Sequence, residues 1–272
     1  MSCKKLDWIF GISAALFMAH GEMTIALSQE IASNELSPGQ IFQKVQARYA
    51  ALDTYSDQGQ IVTLGGDKNV TTFTIRLARE NFYRIEWAQQ CESSPGTKPT
   101  PQAVWSTGVF NLLETGRGAE KQYTRELALA NAAPPSSGAA TTIPLIFFNI
   151  QDRALGIQVD DLDVDVCRQT DEPVGGVDCY VFSKESSGQT RTLWVGKQDF
   201  LIRQVRTVTS AAAAAAMLAK LNTAPASIGL PQGAASLAFT TVETHANIVV
   251  DQPFSRQDFA PSFPSFAPVN GR

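Results

Sequence analysis

Along this chain the spacing of apolar residues changes period near Tyr55. Before it, in "SPGQIFQKVQARYAAL", Ile41, Val45, Tyr49 and Leu52 recur at helical spacing behind Ser37 and Pro38. A serine N-cap followed by proline at the first helical position predicts the start of an amphipathic helix. After Tyr55 the segments "DQGQIVTLGG", "NVTTFTIRLARE", "NFYRIEWAQ", "QAVWSTG" and "VFNLLET" are short and rich in β-branched and aromatic residues, with Gly, Asn, Pro or Ser between them. Turns at intervals of roughly ten residues predict an antiparallel meander.

From Glu120 the strand pattern lapses. "KQYTRELALANA" reads as a helix, "APPSSGAATT" as a loop, and "IPLIFFNIQ" as a dense apolar run entered through Pro144. Strands resume at "LGIQVDDLDVDVCRQ", "VDCYVFSKE", "TRTLWVG" and "FLIRQVRTVT"; an alanine-rich helix capped by Ser210 follows, then a last strand, "SLAFTTVETHANIVV", and an aromatic, proline-rich tail. With no fixed repeat, the pattern implies one α+β domain, a large antiparallel sheet accompanied by a few helices. The hairpin "TLWVGKQDFLIRQVR", Thr192 to Arg206, is apolar on both faces, whereas a sheet with one wet face alternates cleanly.

The N-terminus adds a compartment. "MSCKK" is a short basic start, "WIFGISAALFMA" an apolar run too short to span a bilayer, and small residues follow it, the layout of a signal peptide. Ala26-Leu27-Ser28 before Gln29 fits a cleavage site and Ala19-His20-Gly21 before Glu22 is a second, so residues 1–28 are expected to be a leader and 29–272 the domain, with a helical insertion at about 210–222. The 22 basic and 26 acidic residues make a net charge of −4, and no basic block is present, which argues against nucleic acid as a partner. In an oxidising compartment Cys167 and Cys179, on apolar runs either side of a Gly-Gly turn, are expected to pair as a disulfide, with two buried thiols as the alternative. Cys91, in "QQCESSPG", is then the free thiol.

Catalytic chemistry is sparse. Beyond the leader there is one histidine, His245, on a predicted strand, and no G-x-S-x-G elbow to present a nucleophile. A lone strand histidine is more often structural than catalytic, and no Cys or His pair has zinc-ligand spacing, so neither an enzyme nor a metal or cofactor site is expected. In "DDLDVDVC" the aspartates alternate with Leu162, Val164 and Val166, which describes a half-wet strand and lacks the glycine turn of a calcium loop. What the chain supplies is apolar surface: Phe73, Ile75 and Leu77 on one strand, Phe82, Ile85 and Trp87 on the next, Trp105 and Phe110 after them, and Trp194, Phe200 and Ile202 in the two-sided hairpin. Such residues can fill a core or line a cavity, and periodicity does not separate the two.

In order along the chain these pieces resemble the periplasmic outer-membrane lipoprotein carriers, the LolA/LolB-like fold. "IFQKVQARYAALDTY" with "DQGQI" is similar to that family's opening helix and first strand, "TFTIRLARENFYRIEW" to its apolar strand, arginine and aromatic return strand, and "VWSTGVFNLLE" to a later hairpin. "TTIPLIFFNIQ" stands where the family has a helix over the mouth of the barrel, and "DQPFSRQDFAPSFP" resembles its closing segment. The resemblance implies a strongly curved, unclosed antiparallel half-barrel wrapped around helices, with an apolar cavity that takes acyl chains of a lipoprotein or lipid. It implies a soluble, periplasmic, monomeric carrier, or else an envelope sensor of the same fold with a protein partner. It further implies a lid, Leu145, Ile146, Phe147 and Phe148, latched to the sheet by Arg79. Glu80 stands where the family has proline, Leu113 near a family aromatic, and Ser210 to Asn222 has no counterpart.

Overall fold

The computed structural model describes residues 36–65, 68–93, 96, 98–115, 118–134, 136–150, 166–223 and 237–260. The expected leader, most of the acidic run and the proline-rich end of the tail lie outside them. The opening helix, α1 (Pro38–Ala51), starts at Ser37, whose hydroxyl accepts from the Gln40 amide while the Gln40 side chain accepts from the Ser37 amide. This reciprocal cap satisfies two of the amides a helix start leaves orphaned. Its stripe of Ile41, Val45, Tyr49 and the following Leu52 has no solvent exposure.

The strands are β1 (Thr54–Leu64), β2 (Asn69–Ala78), β3 (Phe82–Cys91), β4 (Gln102–Thr107), β5 (Asn111–Thr115) and β6 (Gly118–Gln122), then, after two helices, β7 (Cys167–Arg168), β8 (Glu172–Val174), β9 (Val177–Ser186), β10 (Gln189–Gly196), β11 (Ile202–Thr209) and β12 (Phe239–Val250). The helices are α2 (Arg125–Ala132), α3 (Thr142–Phe147) and α4 (Ala211–Thr223), and a 3-10 turn covers Arg256–Phe259. Among the described residues all twelve strands join one antiparallel sheet in the order β6-β5-β4-β3-β2-β1-β12-β11-β10-β9-β7, with β8 also on β9. The sheet does not close. Its last strand, β12, lies between β1 and β11 and stitches two meanders together.

The two faces of this sheet differ. On one, Phe73, Ile75, Leu77, Tyr83, Ile85, Trp87 and Val104 form a single core with Phe182, Leu193, Val205 and the apolar residues of α1, α2 and α3. The other face is polar over β1 and β2, where Thr72, Thr74 and Arg76 alternate with the core residues. Near the far edge it carries a small second cluster of Cys179, Val181 and Trp194.

β6 departs from the sequence expectation. Gly118 to Gln122 pairs with β5 although Gly118 to Lys121 are all exposed, so no apolar alternation marks it as a strand. The disulfide is corrected outright. The β8–β9 turn is centred on Gly175-Gly176, so Cys179 lies opposite Glu172, while Cys167 lies opposite Ser183, four residues farther along β9. Four strand residues span roughly 13 Å, beyond the reach of one disulfide. Cys179 is a buried free thiol, and Cys91, at the end of β3, is also free.

Candidate functional site

The helix-covered face is where the expected functional residues gather. Phe73, Ile75, Leu77, Ile85, Trp87 and Ile202 all belong to its core, each with 3% exposure or less. Phe200, at φ +55° in the β10–β11 turn, is partly buried against the same core and stacks on Tyr180 at 6.3 Å. The remaining four expected lining residues are elsewhere. Phe82 precedes Tyr83 by one residue and therefore points to the opposite face, where it meets Phe259 at 5.6 Å. Trp105 lies opposite Arg84 on that same outer face, next to the 3-10 turn whose terminal Ala260 carbonyl accepts from Arg84. Phe110 sits in the β4–β5 turn, 47% exposed, with the Lys121 ammonium over its ring. Trp194 belongs to the second cluster and donates its indole N–H to Glu172 at 2.6 Å.

Two grooves among the described residues, about 510 and 380 Å³, share Gln58 and Thr74 and open along β1 and β2. Their polar walls are Gln58, Thr72, Thr74, Arg76 and Glu86. These side chains alternate with Phe73, Ile75 and Trp87, so both grooves belong mainly to the outer face. Beneath the helices the described side chains pack against one another.

Arg79 follows β2 and reaches back under two helices. Its Nε donates to the Leu52 carbonyl at 2.7 Å, one terminal nitrogen to Phe147 at 2.7 Å, and the other to Tyr49 at 2.6 Å and Ala50 at 2.8 Å. Its guanidinium also lies 4.2 Å from the centre of the Phe147 ring. Every acceptor is a carbonyl at the C-terminal end of α1 or α3, where helices leave such groups unpaired and where positive charge is favoured. A planar fork of donors can serve both helices at once; an ammonium cannot. The turn that aims it holds Glu80 and Asn81 at φ +65° and +70°. Proline, with φ fixed near −65°, could not stand at Glu80.

The helix Arg79 holds is short and apolar. α3 comprises Thr142, Ile143, Pro144, Leu145, Ile146 and Phe147, all buried, and Phe148 beyond it packs on Phe147 and Tyr83 with the Arg125 guanidinium 4.4 Å from its ring. No side chain caps its start. Instead the Thr142 hydroxyl donates to Glu243 on β12 at 2.7 Å. α3 is thus fixed to the sheet by Glu243 at one end and by Arg79 at the other.

Glu243 belongs to a polar group that periodicity alone did not reveal. His245 Nδ1 donates to Asp57 at 2.5 Å, and its Nε2 lies 3.2 Å from Glu243 in ion contact without hydrogen-bond alignment. The Tyr55 hydroxyl donates to the same Asp57 oxygen at 2.8 Å. Burial opposes a charge on His245, but the two carboxylates outweigh it and push its pKa up to about 10. Burial likewise raises the Tyr55 and Tyr49 hydroxyls, with the Asp57 charge adding to it. Asp57 and His245 resemble two thirds of a hydrolytic triad, but the outer nitrogen of His245 faces a second carboxylate where a nucleophile would stand. The arrangement holds a buried ion pair. Among the described residues no cluster of His, Cys, Asp and Glu is arranged to hold a metal, and no helix is long and apolar enough to cross a membrane.

No family model matches this sequence, and no curated protein matches it. Among solved structures the chain is similar to LprF from Mycobacterium bovis, with a TM-score of 0.40 and 9% identity over 80% of this chain and 94% of that one. It is also similar to a LolA superfamily protein from Nitrosomonas europaea, with a TM-score of 0.32 and 10% identity over 84% and 99% of the two chains. A DUF1329 family protein from Desulfovibrio piger is matched at a TM-score of 0.26 and 13% identity over 83% and 98%. At these scores the likenesses carry no correspondence between individual residues.

Proposed function

We propose that this protein is a non-catalytic binding or carrier protein for acyl chains of a lipid or lipoprotein, received between the sheet and its short helices. The observation that carries the reading is the attachment of α3. Six residues, five of them apolar, cannot hold a helix in water on their own. Here they are held over an apolar sheet face by polar contacts at the two ends, to Arg79 and to Glu243. Lifting α3 together with Phe148 uncovers Tyr83 and would open the apolar space that the described side chains now fill. An acyl chain entering that space contributes about 0.8 kcal/mol per methylene buried, against which stand the lost contacts of α3. The order of motifs that resembles periplasmic lipoprotein carriers supports the same reading, and the leader-like N-terminus would deliver the protein to that compartment as a soluble monomer.

The experiment is uptake of a fluorescent fatty-acyl probe by the purified protein, read alongside native mass spectrometry for co-purified lipid. The wild type is expected to bind the probe saturably. Arg79→Lys, which keeps the charge but cannot bridge α1 and α3, is expected to shift probe affinity at least about fivefold and to lower the Tm by about 5–10 °C. A wild type that carries no lipid and takes up no probe would overturn the reading.

A further inference from the structure

On the helix-covered face the apolar residues stop at one row. Phe182 on β9 and Leu193 on β10 are opposite each other in the core, and two residues farther along the same face stand Lys184 and Arg191, again directly opposite. Thr207 on β11 faces Arg191, and Thr241 on β12 faces Thr207. The row is cationic and hydroxylic where the preceding one is aliphatic and aromatic on β9, β10 and β11 and ends at Glu243 on β12.

Arg191 is the anomaly in it. Its Nε is buried without a hydrogen-bond partner, and among the described residues no carboxylate lies within ion-pairing distance of either Arg191 or Lys184. The nearest counter-charge in its field is Glu243, one row inward, and that carboxylate is taken by Thr142 and His245. A guanidinium whose Nε is cut off from water without an acceptor is costly, while the rest of the partly exposed side chain stays within reach of a ligand. Its five donors in a plane match an oxyanion.

We propose that Arg191 and Lys184 receive the anionic headgroup, of the phosphate class, of the acyl ligand, with Thr207 and Thr241 as neighbouring hydroxyl donors. The placement follows from the rows: a chain lying over Leu193 and Phe182 would bring its polar end to Arg191 and Lys184. Glu243 opposes an anion there, and the charge on His245 offsets that opposition. This assignment rests on the acyl-binding reading above and adds to it a selectivity for charge.

Two lipids with identical chains isolate the headgroup: dihexanoyl phosphatidic acid and neutral dihexanoylglycerol, both below their aggregation limits, titrated calorimetrically into the full chain. The phosphatidic acid is expected to bind at least about tenfold more tightly. Arg191→Gln is expected to remove that advantage while leaving dihexanoylglycerol binding unchanged. Lys184→Gln, at a partly exposed site, is expected to reduce the advantage severalfold and to weaken its dependence on salt. Equal affinity for the two lipids, or equal losses for both in Arg191→Gln, would overturn the headgroup site while the acyl reading stands. Failure of both lipids to bind would instead overturn the acyl reading and the headgroup site with it. Inorganic phosphate is the third arm: binding as tight as phosphatidic acid, with the same loss in Arg191→Gln, would assign the cations to a free anion and refute a lipid headgroup.

Discussion

At the residue scale the most consequential group is His245. The ring is fully buried, Asp57 and Glu243 flank it, Tyr55 and Arg191 face the same carboxylates, and Phe73 stacks against it edge-on at 5.5 Å. With its pKa raised from 6.5 to about 10, protonated His245 stabilises the fold. A raised pKa means that this contribution is complete below about pH 6.5 and is lost as pH climbs through 10. Tyr49 and Tyr55 shift upward from 10, so their contribution is lost only above that value, and the fall between pH 7 and 10 belongs to His245. Thermal unfolding followed from pH 6 to 10 should therefore show stability declining by a few kcal/mol. In His245→Gln the decline should be largely absent, from a lower starting value; an unchanged slope in that variant would mean that His245 is neutral in the native protein.

The sequence isolates His245 as a lone strand histidine and goes no further, for a physical reason. Glu243 stands two residues before it on the same strand face, a spacing the sequence does show, but Asp57 comes from 188 residues away and 101 residues separate Glu243 from Thr142. An interaction made only by tertiary proximity leaves no local spacing to read. Arg79 is different: its acceptors are backbone carbonyls, so nothing in the identities of Tyr49, Ala50, Leu52 and Phe147 announces them, and only resemblance to a family singled it out.

Among the elements, the strands that alternate were legible, and so were some facts the expectations missed. Phe82 and Ile85 are three residues apart, and a period of two places them on opposite faces. The Gly175-Gly176 turn likewise sets Cys167 and Cys179 at unequal distances from its centre, which already forbids their pairing. The two-sided hairpin required the structure. A bulge between Trp194 and Val195 returns Ile202 to the core face beside Val195, and the Tyr49 hydroxyl accepts from the Ile202 amide at 3.2 Å. Trp194 remains on the other face, so the grease on both sides serves two separate clusters.

β1 shows how tightly the central strands are fitted. Gly59 sits between His245 and Phe73 in the ladder, and a β-carbon there would lie 2.2 Å from the Thr244 carbonyl and 2.3 Å from the Phe73 ring. Backbone cannot yield as a flexible side chain does. Gly59→Ala should therefore cost about 1–3 kcal/mol, read as a lower midpoint in denaturant with an unchanged slope. A neutral or stabilising result would show that Phe73 and β12 can separate, against the close packing of this region.

For the whole molecule, the meanders were legible and their union was not. Each of β1 to β5 pairs with its neighbour in sequence, as short turns dictate, whereas β12 closes against β1 across nearly two hundred residues. That closure makes the centre of the sheet doubly bonded. By contrast, α3 rests on a few backbone bonds of its own, among them Leu145 N–H to Thr141 and Phe148 N–H to Pro144, and on its two polar anchors. Regions with few independent bonds open below the global unfolding free energy, while a central ladder opens only with it. Hydrogen exchange followed by mass spectrometry should accordingly release peptides covering 141–150 well before those covering β1, β2 and β12. Arg79→Lys should widen that difference, since it removes one anchor from α3 and none from the ladder. Simultaneous exchange of α3 and the central strands, in the wild type and in Arg79→Lys alike, would mean that the helices and sheet open as one unit. A molecule of that kind has no separable cover, and no chain could enter between its layers without unfolding it.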